Sequence, residues 1–182
     1  MGNDEQLSMD LGVPVEQTEW SKWVDPGRRA AQVRKFLERI GLSDLPAKPW
    51  EFESPEAARI GGIIAELFPD IETATAPENA DIADQYICFV GECFIRYARA
   101  QWYDQTRYGE TREWTKDVDD VPLYDGIEPG VIFARLNYGS NSYTAGHLMA
   151  YTVKYGFGGF SGMATLILAK AMADEALRQD QP

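Results

Sequence analysis

The chain is poor in the residues that anchor most small-site chemistry. It carries two cysteines, Cys88 and Cys93, and one histidine, His147, among 182 residues. That is too few ligands for a zinc site of Cys and His, so no metal and no cofactor is expected. On a helix the two cysteines point about 140° apart and cannot bridge, so buried thiols are expected instead. No run of about 18 apolar residues exists, which argues against a membrane-spanning helix. The N-terminal stretch MGNDEQLSMDLGVPVEQ is acidic and lacks the apolar centre of a secretory signal. Gln6 stands where an N-myristoylation signal needs Ser or Thr. A soluble, cytoplasmic protein with no membrane partner is the expectation.

Positive charge is scarce too. Seventeen Lys and Arg face 29 Asp and Glu, a net charge of −12. Such a chain repels phosphates, which argues against binding DNA or RNA directly. Solubility is the simplest account of the acidity, and a basic protein partner is the functional one. The charge is also uneven. Residues 26–42 carry Arg28, Arg29, Arg34, Lys35 and Arg39 against Glu38, whereas residues 43–84 carry ten acids against Lys48 and Arg59.

What the chain has in quantity is apolar and aromatic surface, at 45% and 12% of residues. The rest is organised around Pro77–Trp102, PENADIADQYICFVGECFIRYARAQW. At helical spacing Ile82, Tyr86, Phe89, Cys93 and Tyr97 form one stripe, widened by Ile87, Val90, Phe94 and Ala98. Asp81, Gln85, Glu92, Arg96 and Arg99 share a narrow arc. So little polar surface predicts a helix over 78–102 packed on several sides. Thr75 and Glu78 have capping-box spacing.

Residues 1–17 read as a flexible tail and 18–182 as a single α+β domain. Asp25-Pro26 and Ser54-Pro55 start helices over 26–40 and 55–67, as cap and first position. Gly61-Gly62 costs helix stability, and close approach to another backbone, the central helix at Gly91, is the expected compensation. Trp50 and Phe52 are expected to fold back on the core, and residues 70–78 to form an acidic loop. Strands are expected at 112–118, with Trp114 inward, at 121–124 and at 131–136. Helices over 143–155, capped by Ser142, and over 162–178 close the chain. The fold class is therefore α+β: helices around a central buried helix, with a small antiparallel sheet. Phe89, Cys93, Tyr97 and Trp114 are the expected core.

The constellations that could carry chemistry are few. Gly156-Phe157-Gly158-Gly159-Phe160-Ser161-Gly162 precedes a helix, where a phosphate could bind, but it lacks the P-loop ending and the dinucleotide spacing. A helix–helix turn is the better reading, with Ser161 a cap rather than a nucleophile. A lone helical His147 is usually structural. Asp117, Asp119 and Asp120 lack the pattern of a calcium loop. Glu92 and Arg96 stand four apart in the favourable order and read as an ion pair tying the helix to its neighbours.

A helix carrying Val90-Gly91-Glu92, then Arg96 and a closing Trp102, resembles the central helix of bacterial α+β domains, some of which resemble immunity proteins of polymorphic or contact-dependent toxin systems. The resemblance covers residues 78–175. It departs at Tyr97–Gln101, where a glycine-containing turn would be expected. It implies a binding protein and carries over no catalytic residue. The leading expectation is an acidic interaction protein, of immunity type, that neutralises a basic partner through Glu51, Glu53, Glu56, Glu66, Asp70, Glu72 and Glu78. The alternative is a small enzyme with a cleft around Glu92, Arg96, His147, Ser161 and the 156–162 loop.

Overall fold

A computed structural model describes residues 17–108, 121–133 and 142–179. Among these residues seven α-helices surround or flank a three-stranded antiparallel sheet. The helices are α1 (Glu19–Trp23), α2 (Pro26–Arg39), α3 (Pro55–Leu67), α4 (Ile71–Thr75), α5 (Ala80–Ala98), α6 (Ala145–Tyr155) and α7 (Met163–Gln179). The strands are β1 (Gln101–Asp104), β2 (Pro129–Ile132) and β3 (Ser142–Thr144), in that order across the sheet. The α+β class expected from the sequence is the one observed.

The helix starts follow their local chemistry. Asp25 accepts the Arg28 N–H and Ser54 the Ala57 N–H, each with Pro next in the chain. Each such cap contributes about 1 kcal/mol.

Every residue from Ala83 to Gly91 is buried, because α5 packs against α2, α6 and α7 as well as the sheet. Its Phe89 is fully buried, with ring neighbours Phe36, Trp50, Tyr86 and Phe157. Phe94 meets Phe133 and Tyr143 on the sheet side. Tyr86 is buried complete with its hydroxyl. Thr152 donates its own proton to the Leu148 carbonyl at 2.9 Å, so Tyr86 donates to Thr152 Oγ1. A buried hydroxyl without such a partner would cost several kcal/mol, about 2–7.

Several expectations need correction. The central helix does not run to Trp102. It ends at Ala98, Arg99 turns left-handed at φ 51°, and the chain reverses into β1. The 3₁₀ turn Pro77–Asn79 leads into α5, and Asn79 makes no side-chain cap. Thr75 instead donates to the Ile71 carbonyl, so the Thr75–Glu78 capping box does not form. Residues 70–78 hold α4 and this turn rather than a plain loop. Residues 121–124 form no strand, because the segment crosses towards the central helix to place Tyr124 on Asp84. Tyr143 and Thr144 belong to β3, and Thr144, not Ser142, caps α6 by accepting the His147 N–H at 3.0 Å. Tyr97 is half-buried, its hydroxyl reaching the Pro46 carbonyl at 2.6 Å. Trp50 is buried as expected, but Phe52 is 45% exposed. Gly61 does approach another backbone, that of Gly158 in the glycine-rich loop and not Gly91: a Cβ on Gly61 would lie 3.1 Å from the Gly158 nitrogen. The expected strand at 112–118, Trp114 and the aspartates 117, 119 and 120 lie outside the described residues, as do residues 1–16 and 134–136.

Candidate functional site

Charge is segregated by pairing. Arg28 donates to Asp84 at 2.5 Å, Arg29 to Glu92, and Arg99 to Asp174 at 2.8 Å. Lys35 stands 3.8 Å from Asp81 and Arg96 3.6 Å from Asp44. Arg178 closes onto Asp174 and Glu175. Lys22 pairs with Glu19 within α1, the other paired cations meet acids of α5, α7 and residue 44, and the basic face of α2 is turned largely onto α5.

The seven acids of the expected binding surface have no such partners. Glu51, Glu53, Glu56, Glu66, Asp70, Glu72 and Glu78 are all exposed. Among the described residues none of them is in an ion pair. Two have local structural duties. Asp70 caps α4 by accepting the Thr73 N–H at 2.7 Å, and this hydrogen bond holds its carboxyl below the usual range. Glu56 accepts the Trp50 indole N–H at 2.9 Å. Glu51, Glu53, Glu66, Glu72 and Glu78 make no described side-chain hydrogen bond. Arg59, the one base between residues 51 and 78, gives Nη1 to the Ile40 carbonyl at 2.8 Å.

Beside this surface the residues of the enzyme alternative do not converge. Glu92 accepts from Arg29 and from the Trp102 indole N–H at 3.1 Å. It does not meet Arg96, so the expected i,i+4 pair is replaced by contacts to α2 and β1, although the helix is tied to its neighbours as expected. Glu92 lines an open groove of about 360 Å³ with Arg29, Arg34, Leu37, Asp44 and Leu45. Neither His147 nor any residue of the 156–162 loop lines that groove. His147 is buried, its ring stacked on Tyr143 at 5.4 Å. Ser161 is exposed, and its carbonyl accepts the Tyr151 hydroxyl at 2.8 Å. It does not cap α7, which starts two residues later.

The glycine-rich loop is a turn whose carbonyls serve the next helix. The Met163 N–H donates to the Gly156 carbonyl at 3.0 Å and the Ala164 N–H to that of Phe157 at 2.8 Å. Amides that a phosphate would need are therefore already engaged. Among the described residues no group of three or more His, Cys, Asp or Glu is placed to hold a metal ion, and no helix is long and apolar enough to cross a membrane.

Sequence reasoning missed one polar centre, Asp84. It is buried, and four donors converge on it. Trp23 Nε1 and the Tyr124 hydroxyl reach Oδ1 at 3.0 and 2.8 Å, while Arg28 Nη2 and Gln32 Nε2 reach Oδ2 at 2.5 and 2.6 Å. The centre joins α1, α2 and the 121–127 segment to α5. Its one signal in the sequence is an acid on the otherwise apolar side of the central helix. With every lone pair engaged, it serves as a structural lock and offers no site for a reacting group.

No family model, curated protein or solved structure matches the chain.

Proposed function

We propose that the chain is an acidic interaction protein that binds, and in the manner of toxin-immunity proteins neutralises, a partner with a basic surface. The observation that carries this reading is the segregation of charge. Arg28, Arg29 and Lys35 of α2 are engaged with acids of α5 and Arg96 of α5 with Asp44, while the acids of residues 51–78 point outward without ion-pair partners. An unbalanced field of this kind steers a cationic partner and repels an anionic one. The surface lies on α3, α4 and their flanking loops, held in place by the packed core. Capture of the partner by the full-length chain, followed by association kinetics at two salt concentrations, tests the reading. A steep fall in on-rate with salt is expected. A partner that associates equally fast in both would overturn it.

A further inference from the structure

Two of the three large apolar side chains exposed among the described residues touch each other: Phe160, at 78%, and Phe52, at 45%. Their rings meet edge to face, with centroids 5.3 Å apart at an interplanar angle of 89°. The same two segments also supply a second, inner pair. Trp50, two residues before Phe52, and Phe157, three before Phe160, are both buried and meet edge to face at 5.3 Å and 80°. Two separate loops thus each send one ring inward and one outward, and each ring meets its counterpart from the other loop.

The two loops are also held firmly. Glu53 occupies a left-handed conformation, φ 60°, that a non-glycine residue adopts only at a cost. The Ser54 N–H closes the turn onto the Glu51 carbonyl at 3.1 Å, and Ser54 then caps α3. Opposite it, Gly158 lies so close to α3 that a Cβ there would sit 2.9 Å from the Ala57 carbonyl oxygen. Thr165 donates to the Gly159 carbonyl at 2.8 Å, fixing the turn just before Phe160. Water is an unfavourable setting for two such rings, and aromatic side chains on a fixed frame are the usual energetic centres of interfaces.

Charge identifies the occupant. Glu51 and Glu53 flank Phe52 in the chain, and Glu56 follows on the first turn of α3, with Lys48 the nearest base before them. A second copy of the chain would set these carboxylates against themselves. An anionic lipid surface or a nucleic acid would be repelled in the same way. We infer that the Phe52–Phe160 pair is the apolar anchor of the docking surface, and that it receives a polypeptide segment in which an apolar side chain is flanked by Lys or Arg. This inference rests on the interaction reading above and names where on the acidic surface the partner's apolar contact falls.

The test uses the full chain and two fluorescein-labelled peptides of equal length, one alternating Lys with Tyr and the other Lys with Ser, in anisotropy titrations at low and high salt. The Lys/Tyr peptide is expected to bind about tenfold more tightly than the Lys/Ser peptide, and Phe52→Ser/Phe160→Ser to abolish that preference while leaving the Lys/Ser affinity unchanged. Phe160→Ser alone, at the more exposed ring, guards against misfolding of the double variant and is expected to remove most of the preference. Salt-sensitive binding of both peptides without a preference, or a preference that survives in the variants, would overturn the anchor and leave the charge-based reading standing. Binding of neither peptide would overturn both.

Discussion

Gly91 lies directly beneath the indole of Trp102: a Cβ at residue 91 would sit 1.9 Å from Cζ2 and 2.1 Å from Cη2 of that ring. The ring has little freedom to yield. Its N–H is committed to Glu92, Arg29 lies 5.9 Å over its face, and Trp23 packs edge-on at 4.9 Å. The contact pins β1 back onto α5 just after the chain reverses. Gly91→Ala should therefore destabilise the protein despite the better helix propensity of Ala, by about 1–3 kcal/mol. Urea melts of the two proteins measure it. A stabilised variant would show that the indole does not rest there.

The reversal itself is made by Arg99, a residue type that rarely takes a left-handed conformation. Its guanidinium grips Asp174 of α7, with Nε and Nη2 both at 2.8 Å, and that carboxylate raises its pKa above the ordinary value. Arg99→Gly and Arg99→Ala lose the same ion pair, but only Gly relieves the backbone. Arg99→Gly should be the more stable of the two by about 1–2 kcal/mol. Equal thermal midpoints would mean that the turn relaxes once the side chain is gone.

The Asp84 lock makes an unusual demand on its substitutions. Each carboxylate oxygen accepts two donors, so the amide of Asn would set an NH₂ against two of them. Asp84→Asn should therefore cost nearly as much as Asp84→Ala, and both about 3 kcal/mol, at the low end for a broken buried pair because Arg28 is one-third exposed and can reach water. Chemical denaturation of both variants decides this. An Asn variant close to the parent in stability would show that one oxygen suffices.

Much of the architecture could be read from the sequence, and the reasons for the failures are specific. The caps at Asp25 and Ser54 and the buried stripe of α5 are local patterns, and local patterns survive folding. The end of α5 was hidden because Tyr97, Ala98 and Arg99 carry no breaker. The reversal is enforced by Trp102 on Gly91 and by Asp174 on Arg99, contacts 11 and 75 residues apart in the chain. Asp84 was hidden for the same reason, since its donors Trp23 and Tyr124 lie 61 residues before it and 40 after. The exposure of the seven acids is the usual state of a charged side chain, from which Asp84 departs. Their lack of ion-pair partners depends on where the cations of α2 turn, and that only the fold decides.

The thiols make the protein sensitive to alkali. Burial pushes Cys88 up to about 12 and Cys93 higher still, from an ordinary value of 9.0. Well below pH 9 both states keep these protons and the thiols contribute no pH dependence. Above it the unfolded chain releases protons that the native state retains, so stability falls as pH rises, by up to about 1.4 kcal/mol per pH unit for each thiol. Urea midpoints should therefore drop between pH 9 and pH 11, and Cys88→Ala should flatten the drop. Native protein should also resist a thiol reagent at pH 8 and react at both cysteines once unfolded. Rapid reaction of the native chain would contradict the burial.

Charge reversal separates steering from architecture on the acidic surface. Glu66, Glu72 and Glu78 are exposed and make no described side-chain hydrogen bond or ion pair, whereas Asp70 caps α4 and Glu56 holds the Trp50 indole. Replacing Glu66, Glu72 and Glu78 with Lys changes the net charge by +6 while leaving both contacts in place. The thermal midpoint should stay close to that of the parent. The on-rate for a cationic partner should fall about tenfold or more at low salt, and the difference should shrink at high salt as the Debye length contracts. The off-rate should change far less, because rim charges act on encounter rather than on the docked contact. Stopped-flow association at two ionic strengths reads both quantities. An on-rate indifferent to the reversals would leave the outward acids with solubility as their only role, and a loss confined to the off-rate would place them inside the docked interface rather than around it.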